Sequence, residues 1–447
     1  MTLTIIVATG VLIAAGVAIS RRHYIFAVAI GILAGYELMV PILASVLEDA
    51  KDLRYLALFT EDMSERSSDG FLAGLALFFA LFVVSYLLGG RRTTGLPVSA
   101  RAPSFKLSSG LAIFPIVVLV FGLVSVVTGA GQARLQDYVG IGDTLESSRF
   151  FAYGGLMLIT CVGIVLNRLS AGKAVAALAV VACLAPLLME LFIAGRRQWF
   201  APSALLVLMF LLYSRVRFKV LFAAGFTCIV AVLFAVQFGL REQARLASTG
   251  FETEPLVLAV LAPQLGEFAG ISYTSHNAWT LFVTGQTPVT YGVHWAFHAL
   301  NTIPFLKLAD TWFPHYSADL LGMYDEVTPW GGLSMLADAL MAMGLPGVLV
   351  VAAAIGILCR RAHEFTASAM RAGMPGDAYS LFGLAIIATL LLKYRSGVGD
   401  AIQAVVSFSI LYWAIFLLGY LLLDRKAGAL AGLRHAEGPE IENRGVT

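Results

Sequence analysis

Residues 71–89 read FLAGLALFFALFVVSYLLG and include no charged side chain. A helix of ~20 such residues is long enough to cross the hydrocarbon core of a bilayer. Backbone polar groups find no water in lipid, so a segment of this kind is predicted to be helical. Comparable apolar runs recur at 2–20, 24–47, 107–128, 151–167, 174–194, 199–214, 220–239, 333–358, 379–392 and 401–423. The sequence therefore predicts an all-α, polytopic transmembrane bundle of about eleven spans.

The composition of the 447-residue chain agrees with this prediction. Hydrophobic residues make up 59% of the chain and charged residues only 13%, whereas a soluble domain carries about 25% charged residues. Most of the chain is therefore not expected to meet bulk water. The net charge is +2, and no basic run is interleaved with aromatic residues, which argues against nucleic-acid binding.

The distribution of Lys and Arg predicts the orientation of the chain. Basic residues are more frequent in one alternate set of short loops, which the positive-inside rule assigns to the cytoplasm. Examples from this set are Arg21, Arg22, Arg91, Arg92 and Arg360. The N-terminus is then expected outside. The first run is expected to be a retained span, because its basic residues follow it rather than precede it.

Four segments follow from this arrangement. An N-terminal bundle of about eight spans occupies 1–239, and about three C-terminal spans occupy 333–423. Between them, residues 240–332 are expected to form a large extracytoplasmic loop. The last segment, 424–447, is polar and is expected to be a cytoplasmic tail.

The loop 240–332 contains two apolar stretches, 255–271 and 291–306. Each is too short or too interrupted by polar residues, Gly and Pro to span comfortably. We therefore expect interfacial or re-entrant helices that pack over the mouth of the bundle.

Two basic clusters are predicted on the outer side, where positive charge is disfavoured. One contains Arg196 and Arg197, and the other contains Lys393 and Arg395. Basic side chains near helix ends commonly reach for lipid headgroups, which is one interpretation. The other is an anion site, because guanidinium groups bind phosphate oxygens through a planar fork. A lipid diphosphate at the outer face of the membrane would present such oxygens.

Three histidines of the loop are candidate catalytic residues: His276, His294 and His298. The last two are four residues apart, so they share one face of a helix. Such spacing suits a metal, but the intervening residues do not form the HExxH pattern, and no metal site is predicted. The histidines are expected to act as a general base, to bind a sugar hydroxyl, or to serve only in packing.

Asp338 lies inside an apolar run, where a carboxylate is energetically costly and is therefore a functional candidate. It is expected either to pair with an arginine or to contact substrate. Tyr291, Trp295 and Trp330 are candidates for stacking on sugar rings, although aromatic residues are also common at membrane interfaces.

Several motifs resemble those of the Wzy-type polymerases of O-antigen or oligosaccharide repeat units. The turn Gly195-Arg196-Arg197 is similar to the Gly-Ser-Arg turn of that family. The pair Tyr291-Gly292, followed by Ile303-Pro304, resembles its Tyr-Gly … Ile-Pro segment.

A third motif begins at Ser334 and continues through Met335, Leu336 and Ala337 to Asp338, with Gly344 further on. It resembles the family pattern Ser-x-Ile-Ala-Glu … Asn-Phe-Gly. Asp338 stands where Glu is usual, which keeps the charge but shortens the reach. Ala342 stands where Asn is usual, and its side chain cannot take over any hydrogen-bonding role that the Asn has in the family.

The resemblance implies a membrane-embedded glycosyltransferase of the bacterial cytoplasmic (inner) membrane. It would transfer a glycan from an undecaprenyl-diphosphate carrier to a sugar hydroxyl of another lipid-linked repeat unit, without a metal or other cofactor. Its partners would be membrane lipids, the lipid-linked oligosaccharide and, as a candidate, a chain-length regulator protein. An O-antigen ligase and a transporter or flippase for lipid-linked sugars are the alternative functions.

Overall fold

The computed structural model describes residues 2–46, 69–90, 162, 184–189, 191–192, 199–214, 217–249, 256–286, 289–300, 333–371 and 378–419. Within these ranges, ordered structure is helical and no strand is formed. A single isolated parallel bridge joins Leu333 to Ser396 in the described part of the chain. The predicted all-α class is confirmed for these residues. The runs 107–128, 151–167 and 174–194 lie wholly or mostly outside them, so those spans remain predictions.

The helices are α1 (Thr2–Ser20), α2 (Tyr24–Val46), α3 (Asp69–Leu88), α4 (Phe200–Tyr213), α5 (Lys219–Thr249), α6 (Leu256–Val283), α7 (Val293–Leu300), α8 (Met335–Met343), α9 (Leu345–Arg371), α10 (Ala378–Leu392) and α11 (Gly397–Gly419). A short 3₁₀ turn, Lys393–Arg395, joins α10 to α11.

Four stretches of described helix are long and apolar enough to cross a membrane. They are Gly70–Leu88, Lys219–Gln237, Leu345–Arg371 and Gly397–Ala414. Large apolar side chains also point away from the bundle, among them Leu12 and Ile13 on α1 and Leu221 on α5. Water would make so much apolar exposure unfavourable, whereas lipid would not. These features are compatible with a membrane protein.

Three helix boundaries differ from the sequence prediction. Helix α5 continues past residue 239, the predicted end of the first bundle. Helix α6 runs without a break to Val283, well beyond the apolar stretch 255–271. The predicted run 333–358 is divided at Gly344, which has φ +65° and separates α8 from α9.

The extension of α6 has a tertiary cause. Polar residues end the apolar run at this point, but the hydroxyls of Ser272 and Ser275 reach α2. Ser272 Oγ donates to the Glu37 carbonyl at 3.2 Å, and Ser275 Oγ donates to Glu37 Oε1 at 2.9 Å. These serines interrupt the apolar run, but the helix continues because α2 supplies a hydrogen-bond acceptor for each hydroxyl.

Close packing of α3 against α9 depends on Gly356. A Cβ built at this position would lie 2.6 Å from the Phe82 carbonyl oxygen and 3.1 Å from the Tyr86 amide nitrogen. Both are backbone atoms of α3, so they can yield only if the two helices separate. Small residues allow this kind of approach in membrane bundles.

We expect Gly356→Val to destabilise the bundle, because overpacking of a tight contact costs ~1–3 kcal/mol or more. The matched control is Gly31→Ala on α2, where a Cβ would have no neighbour within 4 Å among the residues that the structure describes. Thermal unfolding of both variants in detergent would test this prediction. Equal midpoints for Gly356→Val and the wild type would contradict the tight α3–α9 contact.

Candidate functional site

The site is built around a buried pair, His294 on α7 and Asp338 in the first turn of α8. Each side chain is only 1% exposed, and His294 Nε2 is hydrogen-bonded to Asp338 Oδ1. The other ring nitrogen, Nδ1, lies 2.6 Å from Thr290 Oγ1. Because an ionised carboxylate only accepts hydrogen bonds, Nε2 carries the proton in this pair. Both nitrogens are occupied, so the ring of His294 is held in place and is not open to a metal.

The second oxygen of Asp338 caps α11. Asp338 Oδ2 accepts hydrogen bonds from the backbone nitrogens of Val398, at 2.5 Å, and Gly399, at 3.2 Å. The first N–H groups of a helix have no partner within that helix, and its N-terminal end favours a negative charge. Gly397 makes this approach possible, because it has φ +85° and a Cβ there would lie 2.8 Å from Asp338 Oδ2.

Asp338 therefore joins α7, α8 and α11 through His294 and the two backbone amides. The sequence predicted a functional carboxylate that pairs with an arginine or contacts substrate. In the structure, both of its oxygens accept hydrogen bonds from these donors. The predicted contact with an arginine or with substrate stays a prediction.

A second, more accessible group lies one turn further along α7. His298 Nδ1 is 3.8 Å from Asp400 Oδ1, and Lys393 Nζ is 4.0 Å from Asp400 Oδ2. The three side chains are 23%, 41% and 35% exposed in the order His298, Asp400, Lys393. A Cβ at Gly399 would overlap the His298 ring, so the imidazole packs directly on the first turn of α11.

Asp400 was missed by the sequence analysis. Its only local signal is its place in Gly-Val-Gly-Asp, close after the basic pair Lys393 and Arg395. A carboxylate in the first turn of a helix is commonly a partner of the helix dipole, so its sequence context alone does not indicate a site. Its proximity to His298 makes it a candidate.

The basic turn Lys393–Arg395 follows a short helix and contacts α2. Helix α10 has 15 residues, which corresponds to ~22 Å at a rise of about 1.5 Å per residue, whereas a full hydrocarbon core is about 30 Å thick. The hydroxyl of Tyr394 donates to Glu37 Oε1 at 2.6 Å, and α2 continues from Glu37 to Val46. At the same rise per residue, α2 extends ~14 Å beyond the residue that contacts the turn.

Three further predicted site residues are described by the structure, and three are not. Tyr291 is 84% exposed, with φ +53°, and Trp295 packs with its ring at 68° to that of His294. His276 is buried on α6, edge-on to the ring of Phe71. Arg196, Arg197 and Trp330 lie outside the described residues, so their predicted roles are untested.

The tight turn before α7 carries Tyr291 to the surface. Gly292 has φ +76°, and its backbone nitrogen donates to the Ala342 carbonyl at 3.0 Å. Thr290 makes the same kind of bond to the Met341 carbonyl at 3.0 Å. The backbone thus ties the start of α7 to the end of α8, which places His294 opposite Asp338.

Another polar cluster occupies the opposite end of α3 and α9. His23 Nδ1 lies 2.7 Å from the Tyr86 hydroxyl, and His363 Nδ1 lies 2.5 Å from the Tyr213 hydroxyl. The rings of His23 and His363 are 4.3 Å apart. Burial, together with nearby arginine guanidiniums, lowers the pKa of His23. A neutral imidazole suits a packing role between the ends of these helices.

The arrangement around α11 can support proton transfer next to an anion. An imidazole beside a carboxylate can accept a proton from a hydroxyl, and His298 Nδ1 lies 3.8 Å from Asp400 Oδ1. Cationic groups nearby, such as Lys393, stabilise negative charge on a leaving group.

Comparisons of the chain with protein-family models, with curated proteins and with solved structures gave no match.

Proposed function

We propose that this protein polymerises lipid-linked oligosaccharide repeat units. A glycan would pass from undecaprenyl diphosphate to a sugar hydroxyl of an acceptor at the outer face of a bacterial cytoplasmic membrane. The observation that carries the proposal is the accessible His298–Asp400 pair beside Lys393. In this proposal, His298 is the proton acceptor and Lys393 is a cation close to it.

In the proposed reaction, His298 accepts the proton of the acceptor hydroxyl, and the nearby carboxylate of Asp400 stabilises the imidazolium that forms. The hydroxyl oxygen then forms a bond to the anomeric carbon of the donor glycan. The bond between that carbon and the diphosphate oxygen breaks, and undecaprenyl diphosphate leaves with the electron pair. Lys393 and Arg395 bind the diphosphate, which is anionic in the donor as well as in the leaving group. Arg196 and Arg197 are proposed as further diphosphate contacts.

The topology belongs to the same proposal. We place the N-terminus outside, the tail in the cytoplasm and about eleven spans between them, on the strength of the basic-residue distribution. In this topology the basic turn faces the outer side, where lipid-linked units would be presented. Tyr291 and Trp295, next to His294, are proposed to contact sugar rings.

The function can be tested with purified protein in nanodiscs that contain a short lipid-diphosphate-linked repeat unit. Products linked to the carrier that grow by whole repeat units are expected. Transfer of glycan only to lipid A core would identify a ligase instead. Movement of the lipid-linked unit across the membrane without a change in its length would identify a flippase.

Lys393→Ala is expected to raise KM for the donor about tenfold, because a charge-assisted contact contributes ~1.5–3 kcal/mol and partial exposure reduces this. The turnover number should change less, since Lys393 does not handle the proton. Lys393→Arg keeps the charge and should remain close to wild type. An unchanged KM in Lys393→Ala would remove this residue from the diphosphate site.

A further inference from the structure

A fully buried carboxylate lies beneath the proposed site. Glu37 on α2 is 0% exposed. Its Oε1 accepts hydrogen bonds from Tyr394, at 2.6 Å, and from Ser275, at 2.9 Å. Tyr394 belongs to the basic turn between Lys393 and Arg395, so this carboxylate contacts the turn directly.

A chain of hydroxyls connects the same carboxylate to α8. Ser275 Oγ lies 2.5 Å from Ser334 Oγ, which accepts a hydrogen bond from the Ala337 backbone nitrogen at 2.9 Å. Each serine has one hydroxyl proton. The proton of Ser275 goes to Glu37, so the proton of Ser334 must go to Ser275. The bonds therefore all run from the first turn of α8 toward Glu37.

The two connections end at the two halves of the proposed site. Ser334 is the N-cap of α8, the helix that carries Asp338. Tyr394 lies in the turn that carries the cations. The isolated bridge between Leu333 and Ser396 joins the same two segments through their backbones. Glu37 is thus linked by hydrogen bonds to both segments, directly through Tyr394 and indirectly through Ser275 and Ser334.

Stability does not account for a carboxylate at this place. A charge buried among helices is costly, and a half-satisfied polar network is less favourable than an apolar core. Glu37 Oε2 has no hydrogen-bond partner within the part of the chain that the structure describes. A well-packed apolar residue would serve the fold at least as well, so the carboxylate points to a function.

We infer that Glu37 is a positioning residue for the proposed glycosyl-transfer site, an inference that rests on the proposed function. It acts through Tyr394 on the diphosphate-binding turn, and through Ser275 and Ser334 on the helix of Asp338. The connection to the turn affects binding of the donor. The connection to α8 affects the alignment of the groups around the reacting hydroxyl.

Three variants separate these effects. Tyr394→Phe removes one hydroxyl but keeps the ring, and should raise KM for the donor about tenfold with kcat within about twofold. Ser275→Ala should lower kcat more than it raises KM. Glu37→Gln should raise KM for the donor and lower kcat. The double variant Glu37→Gln/Tyr394→Phe should raise KM by less than the product of the two single effects, because the two residues share one contact. Tyr379→Phe, at the other end of α10, is the matched control and should be neutral.

Binding of farnesyl diphosphate to the detergent-purified protein tests the inference without polymerisation. Tyr394→Phe and Glu37→Gln should bind this probe about tenfold more weakly than wild type, at an unchanged unfolding midpoint. Equal affinity of wild type and both variants would overturn the inference, even if wild type polymerises. Weaker binding by the variants, with a wild type that never extends a glycan, would support the positioning role and refute the polymerase. If Glu37→Gln does not fold, the result for Tyr394→Phe decides the question.

Discussion

Asp338→Ala is expected to abolish glycan transfer and to lower the stability of the protein strongly. The carboxylate accepts hydrogen bonds from His294 and from the backbone nitrogens of Val398 and Gly399, all in a buried setting. Alanine would leave three donors without an acceptor. Breaking one partner of a buried charged pair costs ~3–5 kcal/mol. We therefore expect a marked fall in the unfolding midpoint, measured in detergent, and no detectable polymer.

Asp338→Asn separates the two effects. The amide oxygen can still accept from the α11 backbone, so most of the fold should survive. The amide nitrogen, however, would face His294 Nε2 and force the proton to the other ring nitrogen, toward Thr290. We expect near-normal unfolding but a loss of activity of at least about tenfold.

Asp400→Ala provides the stability control for this pair of variants. Asp400 is 41% exposed and lies in the same turn of α11 as the amides that Asp338 caps. Its loss should change the unfolding midpoint little, because exposed ion pairs contribute only ~0–1 kcal/mol. If Asp338→Ala unfolds at the temperature of Asp400→Ala, then Asp338 does not hold α7, α8 and α11 together.

His298→Gln is expected to reduce kcat by about 100- to 10,000-fold, the usual contribution of a general base. Glutamine fills a similar volume but cannot accept the proton of the sugar hydroxyl. KM for the donor should stay near the wild-type value, because the cations of the basic turn are unaffected. Initial rates in nanodiscs over a range of donor concentrations would measure both constants.

A control on the neighbouring helix accompanies His298→Gln. Ser409→Ala is the control on α11, since its hydroxyl bonds only to the Val405 carbonyl of its own helix among the contacts described. A His298→Gln variant with wild-type kcat would show that the acceptor hydroxyl is deprotonated elsewhere.

The helical class was predictable because hydropathy is a local property of the chain. Runs without charge have only one way to satisfy their backbone in lipid, and helices α1, α2 and α3 begin and end close to the predicted limits. The shared helix face of His294 and His298 was predictable for the same reason. Both residues lie on α7, as their spacing indicates.

Other boundaries could not be derived from hydropathy. Helix α6 passes through Ser272 and Ser275, although these polar residues interrupt the apolar run. Glu37 on α2 accepts a hydrogen bond from Ser272 through its backbone carbonyl and one from Ser275 through its carboxylate. At Gly344, where the predicted run divides, the ring of Phe282 of α6 would lie 2.8 Å from a Cβ. Neither partner is near in sequence.

The sequence by itself determined that the chain is largely helical and apolar, and it identified His294, His298, Asp338 and Lys393 as candidates. The tertiary structure decided how these residues combine. It paired His294 with Asp338 across 44 residues, and Glu37 with Tyr394 across 357. The physical reason is that helix formation in an apolar chain follows from local composition. The partners of a buried polar group depend instead on which helices pack together, and no local pattern records that.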